Sequence, residues 1–352
     1  MRTVDEDRVT AFIGKVVGDW GAMASAPLVV IGDRLGLYRA MADGEAVSSS
    51  ELAERTGTAE RYVREWLAAQ AAGGYLHYDG DGMFHLDPEQ ALALTDETSP
   101  ACVLGGFEAF AAATQILPQL TEAFRTGRGV GWAEHDPGLF RGTARFFRPG
   151  YAANLTESWL PALDGVPEML AAGGLVADVG CGFGHSTTIM ADAFPNSRFI
   201  GFDPHRPSIE AANTLAAGAD GTRQLEFRVA TAKDFEGSGY DLITFFDCLH
   251  DMGDPVGALR HTREALKPDG TVMIVEPFAN DSVEANLNPV GRLFYSVSTL
   301  VCTPASLSEE VGTALGAQAG EKRMTSIAHD AGFSRIRRAT QTPFNLIYQA
   351  RP

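Results

Sequence analysis

A glycine-rich segment in the second half of the chain has the residue types of a ligand-binding loop. It runs Asp178-Val-Gly-Cys-Gly-Phe-Gly184, directly after an apolar stretch that predicts a strand. Its glycines allow a sharp turn and a close approach of the backbone to a ligand, which a Cβ atom would block. Asp203 ends the next predicted strand, 23 residues after Gly180. A carboxylate there can accept hydrogen bonds from both hydroxyls of a ribose.

The spacing of this loop favours an amino-acid cofactor over a dinucleotide. Dinucleotide loops have the pattern G-x-G-x-x-G and turn a helix N-terminus toward a pyrophosphate. Here the pattern is G-x-G-x-G, and Asp178 stands two residues before the first glycine. That acid would repel a pyrophosphate but suits an ammonium group. We assign cofactor contacts to Asp178, Gly180, Gly182 and Asp203, and to the backbone rather than the thiol of Cys181.

A second polar group follows the strand predicted at Tyr240–Phe246. Asp247, His250 and Asp251 come directly after it. Catalytic side chains of an open α/β sheet emerge at the carboxyl ends of its strands. An imidazole with an unperturbed pKa of about 6.5 can act as a general base near pH 7. His250 is therefore the main candidate for proton transfer.

Strands that alternate with helices from residue 175 onward predict a mostly parallel, Rossmann-like α/β sheet. A turn at Thr342-Pro343 separates two final strands and indicates an antiparallel hairpin that closes the sheet. The predicted strands are 175–179, 198–202, 225–229, 240–246 and 271–275, followed by 334–339 and 345–349.

The first hundred residues predict an α-rich winged helix-turn-helix domain. Ser48 and Glu51 form a capping box that begins a short helix ending at Gly57. Thr58 is expected to cap the next helix, and Asp79-Gly-Asp-Gly82 is typical of the hairpin turn in a wing. This domain holds 8 basic and 17 acidic side chains. DNA binding needs a basic face, so a dimerisation role is favoured.

Three segments are predicted: a winged-helix dimerisation domain at 1–100, a helical connector at 101–170, and a cofactor-binding catalytic domain at 171–352. A long stretch at 278–325, between the fifth strand and the next helix, is expected to act as a lid. The connector is expected to line a substrate chamber. Aromatic side chains assigned to substrate contact are Phe147, Tyr151, Phe278 and Tyr295.

Composition excludes several classes of protein. The 352 residues carry a formal net charge of −17, which argues against binding nucleic acid or an anionic membrane. Four scattered cysteines without a C-x-x-C pair argue against disulfides and structural zinc, and we assign no residue to a metal. No leader-like or membrane-spanning apolar stretch is evident, so we expect a soluble cytoplasmic protein.

The second half of the chain resembles the class I methyltransferases that depend on S-adenosylmethionine (SAM). Residues 176–184 are similar to their first motif, and Asp203 to the ribose-binding acid after their second strand. Residues 231–235 are similar to the segment whose acid, here Asp234, meets the adenine amino group. Residues 266–277 resemble the turn into their fifth strand. The resemblance implies SAM as cofactor, with Asp234, Phe235 and Asp247 as further contacts.

The whole chain resembles the small-molecule O-methyltransferases. Its segments 147–151 and 249–254 are similar to those of a branch of uncharacterised actinobacterial, mycobacterial-type members. Their winged-helix domain implies a homodimer formed through the N-terminal domain. His250 and Asp251 match the His-Asp pair of plant-type members, in which the histidine is the general base, and Glu276 matches its supporting glutamate. Met252 stands where those enzymes carry tryptophan, so phenolic substrates do not follow.

We therefore predict an enzyme that transfers a methyl group from SAM to an oxygen of a small molecule, with His250 as general base. Three alternatives stay open. One is a C- or N-methyltransferase with a metal at His250, since imidazole and carboxylate ligands suit iron or zinc. The others are a non-methylating enzyme on the same fold and a DNA-binding regulator that senses SAM.

Overall fold

The computed structural model describes residues 4–217 and 224–352. The chain divides into two compact units. The first comprises residues 1–111 and 141–149, and the second comprises residues 112–140 and 150–352. The segment 101–170 is thus shared between the two units. In the described residues no helix is both long enough and apolar enough to cross a lipid bilayer.

The first unit is a set of helices beside a small antiparallel sheet of strand order β1-β3-β2. One helix is much longer than the others, with 29 residues. The helices and strands of the first unit are α1 (Glu6–Arg34), β1 (Val47–Ser48), α2 (Ser49–Thr56), α3 (Glu60–Ala72), β2 (His77–Gly80), β3 (Met83–His85), α4 (Pro88–Leu94) and α5 (Leu104–Ala113).

The predicted start and end of α2 are confirmed. The Glu51 carboxylate accepts the Ser48 backbone N–H at 2.8 Å, and the Ser48 hydroxyl accepts the Glu51 N–H at 3.3 Å. The helix ends at Gly57 in the left-handed conformation, with φ 65°, which glycine adopts without strain. The cap predicted at Thr58 is wrong. Ala59 is the N-cap of α3, and its methyl side chain cannot accept a hydrogen bond. The Thr58 hydroxyl is paired with that of Thr56 instead.

The second unit carries the large sheet and the helices that cover it. Helix α7 runs through residues assigned to both units, since its middle part, 141–149, groups with the first. The elements are α6 (Leu117–Thr126), α7 (Pro137–Asn154), α8 (Val166–Ala172), β4 (Leu175–Val179), α9 (His185–Ala193), β5 (Arg198–Asp203), α10 (Arg206–Ala217), β6 (Leu225–Val229), β7 (Tyr240–Phe246), α11 (Pro255–Ala265), β8 (Leu266–Pro277), α12 (Pro289–Val297), α13 (Thr303–Ser308), α14 (Gly320–Asp330), β9 (Arg335–Gln341) and β10 (Asn345–Arg351).

The seven strands of the large sheet lie in the order β6-β5-β4-β7-β8-β10-β9. The first five run parallel, and β10 is antiparallel to both β8 and β9. The predicted fold class and reversed last strand are therefore confirmed. Strands β4 and β7 are apolar along almost their whole length because helices bury both faces. The strand order reverses between β4 and β7, and a ligand crevice is expected at this point.

The contact between α5 and α7 leaves no room for a side chain at Gly142. A Cβ there would lie 2.3 Å from the backbone nitrogen of Ala109. We expect Gly142→Ala to lower the free energy of unfolding by about 1–3 kcal/mol, because one backbone must move away from the other. Urea denaturation followed by circular dichroism measures this.

Gly150 in the same helix provides the matched control, since a Cβ there meets nothing within 4 Å. Alanine at an open helical position should be neutral or stabilise by up to about 1 kcal/mol. Equal unfolding midpoints for the two variants would contradict the close approach of α5 and α7.

Candidate active site

The glycine-rich loop leaves β4 and is anchored on the end of β5. The backbone nitrogens of Gly180 and Cys181 donate to the carbonyl of Phe202 at 2.8 and 3.1 Å. Gly180 has φ 76°, and a Cβ there would lie 2.6 Å from Cys248 Sγ, so the position requires glycine. The Cys181 thiol packs into an apolar cluster with α10 and β6, which leaves the Cys181 backbone at the loop.

The structure brings Asp203 and the glycine loop together. One carboxylate oxygen of Asp203 accepts the N–H of Gly182 at 2.9 Å, and the other accepts the N–H of His205 at 2.8 Å. Burial raises the pKa of Asp203, and the two backbone donors oppose this only in part. Each oxygen keeps a second lone pair that can accept from a ribose hydroxyl.

Asp178 supports the loop from inside the protein. It has no exposed surface, and its carboxylate accepts hydrogen bonds from Ser186 at 2.7 Å, Thr187 at 2.6 Å and Thr244 at 3.0 Å. Burial raises its pKa, against the effect of the three hydroxyls. These contacts tie α9 and β7 to the end of β4. A direct contact with an ammonium group, as expected from the sequence, is not the role that this geometry gives Asp178.

The cofactor contacts predicted at Asp234 and Phe235 stay predictions, and the two side chains differ in exposure. The Phe235 side chain is 1% exposed and lies in the core against Phe202, Tyr240 and His261. The ring of Phe235 packs inside the core, so a contact with the cofactor would come from its backbone. Asp234 is exposed and closes its own turn by accepting the Thr231 backbone N–H and hydroxyl, both at 2.7 Å.

His250 lies between two carboxylates at the carboxyl ends of β7 and β8. Its Nδ1 is 2.5 Å from a Glu276 oxygen, and its Nε2 is 3.1 Å from Asp251 Oδ1. The second contact lacks hydrogen-bond alignment, since Asp251 Oδ1 has no hydrogen-bond partner among the described residues. His250 is therefore in contact with both of the other residues assigned as catalytic.

The charge of this cluster is set by burial and by its acids. Burial alone would lower the pKa of His250, but Asp251 and Glu276 outweigh it and hold that pKa well above its usual value. The two carboxylates thus favour the protonated form of the His250 ring. Removal of either carboxylate would leave the buried ring with one carboxylate neighbour.

Asp247 follows β7 in the left-handed region, with φ 50°. Its carboxylate accepts from the Tyr151 hydroxyl at 3.0 Å and from the Asn345 amide at 3.1 Å. Burial, then repulsion from Glu276, raises the pKa of Asp247 to about 8. A residue other than glycine is strained in this backbone conformation, so the surrounding contacts must hold Asp247 in it. The two donors supply such contacts.

Three residues of this region were missed by sequence reasoning. Asn345 reaches Asp247 only because β10 is reversed, so its first residue lies at the edge where parallel strands end. Cys302 Sγ lies within 4.8 Å of a ring nitrogen of His250 and of a carboxylate oxygen of Asp251. Burial raises the pKa of the Cys302 thiol to about 12. Thr244 is the third, and it is the one that the sequence could have indicated, since it is a polar residue inside an apolar strand.

The stretch 278–325 folds against the turn that carries His250. Ser306 Oγ donates to the Met252 carbonyl at 2.8 Å, and Glu309 accepts the Gly253 N–H at 2.8 Å. The Thr313 N–H also donates to the Gly253 carbonyl at 2.8 Å. The stretch is not a bare loop, since it holds α12, a π-helical turn at Ser298–Cys302 and α13.

The four aromatic residues assigned to substrate lie in different places. Tyr151 is buried and touches Asp247, and Phe278 is half-buried beside the core at the end of β8. Tyr295 is half-buried on α12, and Phe147 belongs to the first unit. Only Tyr151 has a described contact with the site.

Asp247 makes stability depend on pH in a defined direction. The unfolded chain loses this proton near pH 4, whereas the folded protein keeps it to about pH 8. The stabilisation is therefore complete below pH 4 and is lost as pH rises through 8, by up to about 1.4 kcal/mol per pH unit. Asp247→Asn should flatten the profile of unfolding free energy between those limits in urea denaturation.

Glu310→Gln is the control for this measurement, since Glu310 is an exposed carboxylate. Its profile should follow that of the wild type. An Asp247→Asn profile as steep as the wild type would show that Asp247 is ionised in the folded protein at neutral pH.

Two protein families match separate parts of the chain. The family described as "Methyltransferase domain" matches residues 177–272, and the "Rv2258c-like winged HTH domain" matches residues 23–96. The chain is 30% identical over 118 residues to trans-aconitate 2-methyltransferase of Streptomyces avermitilis, over 33% of this chain and 44% of that protein. It is 31% identical over 102 residues to tocopherol O-methyltransferase of Arabidopsis thaliana, over 28% of this chain and 29% of that one. The chain thus matches less than half the length of these relatives.

Solved structures resemble the chain over nearly its whole length. Mitomycin 7-O-methyltransferase MmcR has a TM-score of 0.71 at 21% identity, covering 99% of this chain and 100% of that one. Human N-acetylserotonin methyltransferase, solved in complex with SAM, has a TM-score of 0.73 at 17% identity, covering 100% and 99%. The chain therefore carries a methyltransferase domain behind an Rv2258c-like winged helix-turn-helix domain, and it has the fold of these solved methyltransferases.

Proposed function

We propose that the protein transfers the methyl group of SAM to an oxygen atom of a small molecule. The observation that carries this is the placement of two groups at one edge of the sheet. The glycine loop and Asp203 end β4 and β5, and the His250–Glu276 pair ends β7 and β8. The strand order reverses between them, which is where open α/β sheets bind their ligands.

Methyl transfer is an in-line displacement at carbon. The acceptor oxygen forms the new C–O bond while the C–S bond breaks, and the electron pair stays on sulfur to give S-adenosylhomocysteine. The acceptor must lie about 3–3.5 Å from the methyl carbon in line with the sulfur. Its hydroxyl proton must leave, and a positioned base makes this faster.

His250 is the proposed base, with Glu276 as its positioning residue. Glu276 holds Nδ1, so Nε2 is the nitrogen that takes the proton of the acceptor. The ring must first lose the proton that Asp251 and Glu276 stabilise, and the acceptor must displace the 3.1 Å contact with Asp251. Binding of a cationic sulfonium nearby favours that loss, because like charges repel.

Oxygen is proposed as the acceptor atom from two kinds of support. The histidine with an orienting carboxylate suits removal of a hydroxyl proton. Relatives over part of the chain and over its fold include O-methyltransferases of tocopherol and of mitomycin. We propose that Tyr151, Phe278 and Tyr295, which all belong to the second unit, contact the substrate.

A metal ion at His250 is the second candidate for activating the acceptor. The observation that favours it is the position of Cys302, whose sulfur lies near the ligand atoms of His250 and Asp251. In this candidate the methyl group still comes from SAM. The metal ion, and not His250 as a base, activates the acceptor oxygen.

The winged-helix domain supports a small-molecule enzyme over a DNA-binding regulator. On α3, Arg61 pairs with Glu65 at 2.7 Å and Arg64 pairs with Glu60 at 2.9 Å. Paired arginines leave little net charge for the phosphates of DNA.

Calorimetry with SAM and S-adenosylhomocysteine tests the cofactor site. The wild type is expected to bind both. Asp203→Asn should weaken binding by at least about tenfold, or roughly 1.4 kcal/mol, because it loses a carboxylate that holds Gly182 and can accept from a ribose. Glu226→Gln is the control, since Glu226 pairs with Arg198 and Arg228 on the far edge of the sheet.

A second measurement separates the transferase from its alternatives. Formation of S-adenosylhomocysteine is followed with a panel of small phenols, enols and carboxylic acids. Turnover with any oxygen acceptor supports the proposal. Failure of the wild type to bind SAM would overturn it, and SAM binding without turnover would favour a non-methylating enzyme or a regulator.

We propose further that the first unit forms a homodimer through α1. This helix exposes a row of large apolar side chains at helical spacing, and rows of this kind mark protein–protein contacts. The resemblance to dimeric winged-helix methyltransferases supports a second copy of the chain as the partner. The row comprises Phe12, Ile13, Val17, Trp20 and Met23, each more than half exposed.

Trp20→Asp should convert a dimer to a monomer, because a desolvated carboxylate in the apolar row costs more than the contact gains. Sedimentation velocity of the full chain measures the change in mass. Tyr62→Asp on α3 is the control, since Tyr62 is 81% exposed outside the row, and it should stay dimeric. A monomeric wild type, or a dimer that survives Trp20→Asp, would contradict the assignment.

A further inference from the structure

Three side chains with metal-binding atoms converge in the interior of the second unit. One ligand atom each from His250, Asp251 and Cys302 lies within 4.8 Å of the other two. His250 and Cys302 are buried, with 3% and 4% exposure. We propose that these three residues bind one divalent transition-metal ion of the zinc or iron(II) class. The proposal deepens the function above and rests on it only for what the ion would do in catalysis.

The donor set matches the chemistry of such an ion. Imidazole nitrogen, carboxylate oxygen and thiolate sulfur are the ligands of zinc in proteins, and imidazole with carboxylate also binds iron. Tetrahedral bonds of about 2.0–2.3 Å separate ligand atoms by roughly 3.3–3.8 Å. The cluster therefore needs side-chain movements of only about 1 Å to close on an ion. Three protein ligands leave a fourth position open, as in catalytic zinc sites.

His250 is already oriented as metal-ligating histidines are. Its Nδ1 is held by Glu276 at 2.5 Å, and a carboxylate on the far nitrogen fixes the ring for a metal on the near one. Nε2 lies 3.1 Å from Asp251 Oδ1 without hydrogen-bond alignment. Two adjacent polar atoms that do not hydrogen-bond to each other can both bind the same metal ion.

Two unsatisfied buried oxygens belong to this cluster, those of Asp251 and Glu276. In the part of the chain that the structure describes, Asp251 Oδ1, Glu276 Oε1 and both ring nitrogens of His135 are buried without a hydrogen-bond partner. His135 is 4% exposed, and burial lowers its pKa, while Glu134 and Asp251 act in the opposite direction. His135 is thus within electrostatic reach of Asp251. Buried polar atoms are nearly always paired, so the unpaired Oδ1 of Asp251 points to a missing partner.

The local backbone places Cys302 for this role. It is the last residue of the π-helical turn Ser298–Cys302, and such turns are rare and often found at functional sites. The following residues are fixed to the His250 turn, since Ser306 donates to Met252 and Glu309 accepts from Gly253, both at 2.8 Å. The sulfur is therefore held in the site by the fold.

A bound ion would change how the acceptor is activated. An ion held by His250, Asp251 and Cys302 would supply a Lewis acid, which would lower the hydroxyl pKa of an acceptor at the open position. His250 Nε2 is then a ligand and no longer the base. The methyl group still moves from sulfur to oxygen, and the sulfur keeps the electron pair.

Cobalt(II) is the probe, because its bond to a thiolate gives a charge-transfer absorption in the near ultraviolet. Purified full-length protein is freed of metal with a chelator and titrated with Co²⁺. We expect one equivalent bound, with the thiolate band. Elemental analysis of protein not treated with chelator should give close to one zinc or iron per chain.

Cys302→Ser should abolish the thiolate band and weaken Co²⁺ binding at least about tenfold. Cys102→Ser is the matched control, since Cys102 is a buried free cysteine in the first unit, and it should behave as the wild type. If circular dichroism shows that Cys302→Ser does not fold, Asp251→Asn replaces it. That variant should keep the band and bind Co²⁺ more weakly.

The outcomes separate this proposal from the proposed function. No thiolate band in the wild type, or a band that survives Cys302→Ser, overturns the metal site. SAM calorimetry on the same samples is independent of that result. Binding of SAM without metal leaves His250 as the base, whereas metal binding without SAM binding overturns the methyl transfer and keeps the site.

Discussion

The placement of buried acids at one edge of the large sheet is the constraint on which the second unit depends. Asp178, Asp203, Asp247 and Glu276 are each at most 9% exposed, in a chain whose net charge is already −17. Each must find donors or a cation, because an unpaired buried charge is very costly. Hydroxyls serve Asp178, backbone N–H groups serve Asp203, a phenol and an amide serve Asp247, and an imidazole serves Glu276.

These donors come from distant parts of the chain, so the acids also organise the fold around the crevice. Asp178 joins α9 to β7, and Asp247 joins α7 to the start of β10. The acids that would bind or activate ligands are therefore the ones that hold the strands' ends in position. A substitution at this edge affects binding and stability together, which makes matched control variants necessary.

The segment after β8 completes the site from outside the sheet. It is long enough to hold two helices and a π-helical turn, and it is hydrogen-bonded to the turn that carries His250. The length of this segment predicted a functional role, and its hydrogen bonds with Met252 and Gly253 place it beside the turn that carries His250. It is through these contacts that Cys302 comes to lie beside His250 and Asp251.

The sequence by itself determined the local features. Glycine spacing, the capping box at Ser48 and the apolar strands depend on neighbours along the chain, so residue type and spacing were sufficient to predict them. The burial of Phe235, the internal role of Asp178, the pairing of Asn345 with Asp247 and the approach of Cys302 to His250 depend on which strands and helices become neighbours. Only the tertiary structure decides those contacts, because long-range packing sets the burial and partners of a side chain, whatever its local pattern.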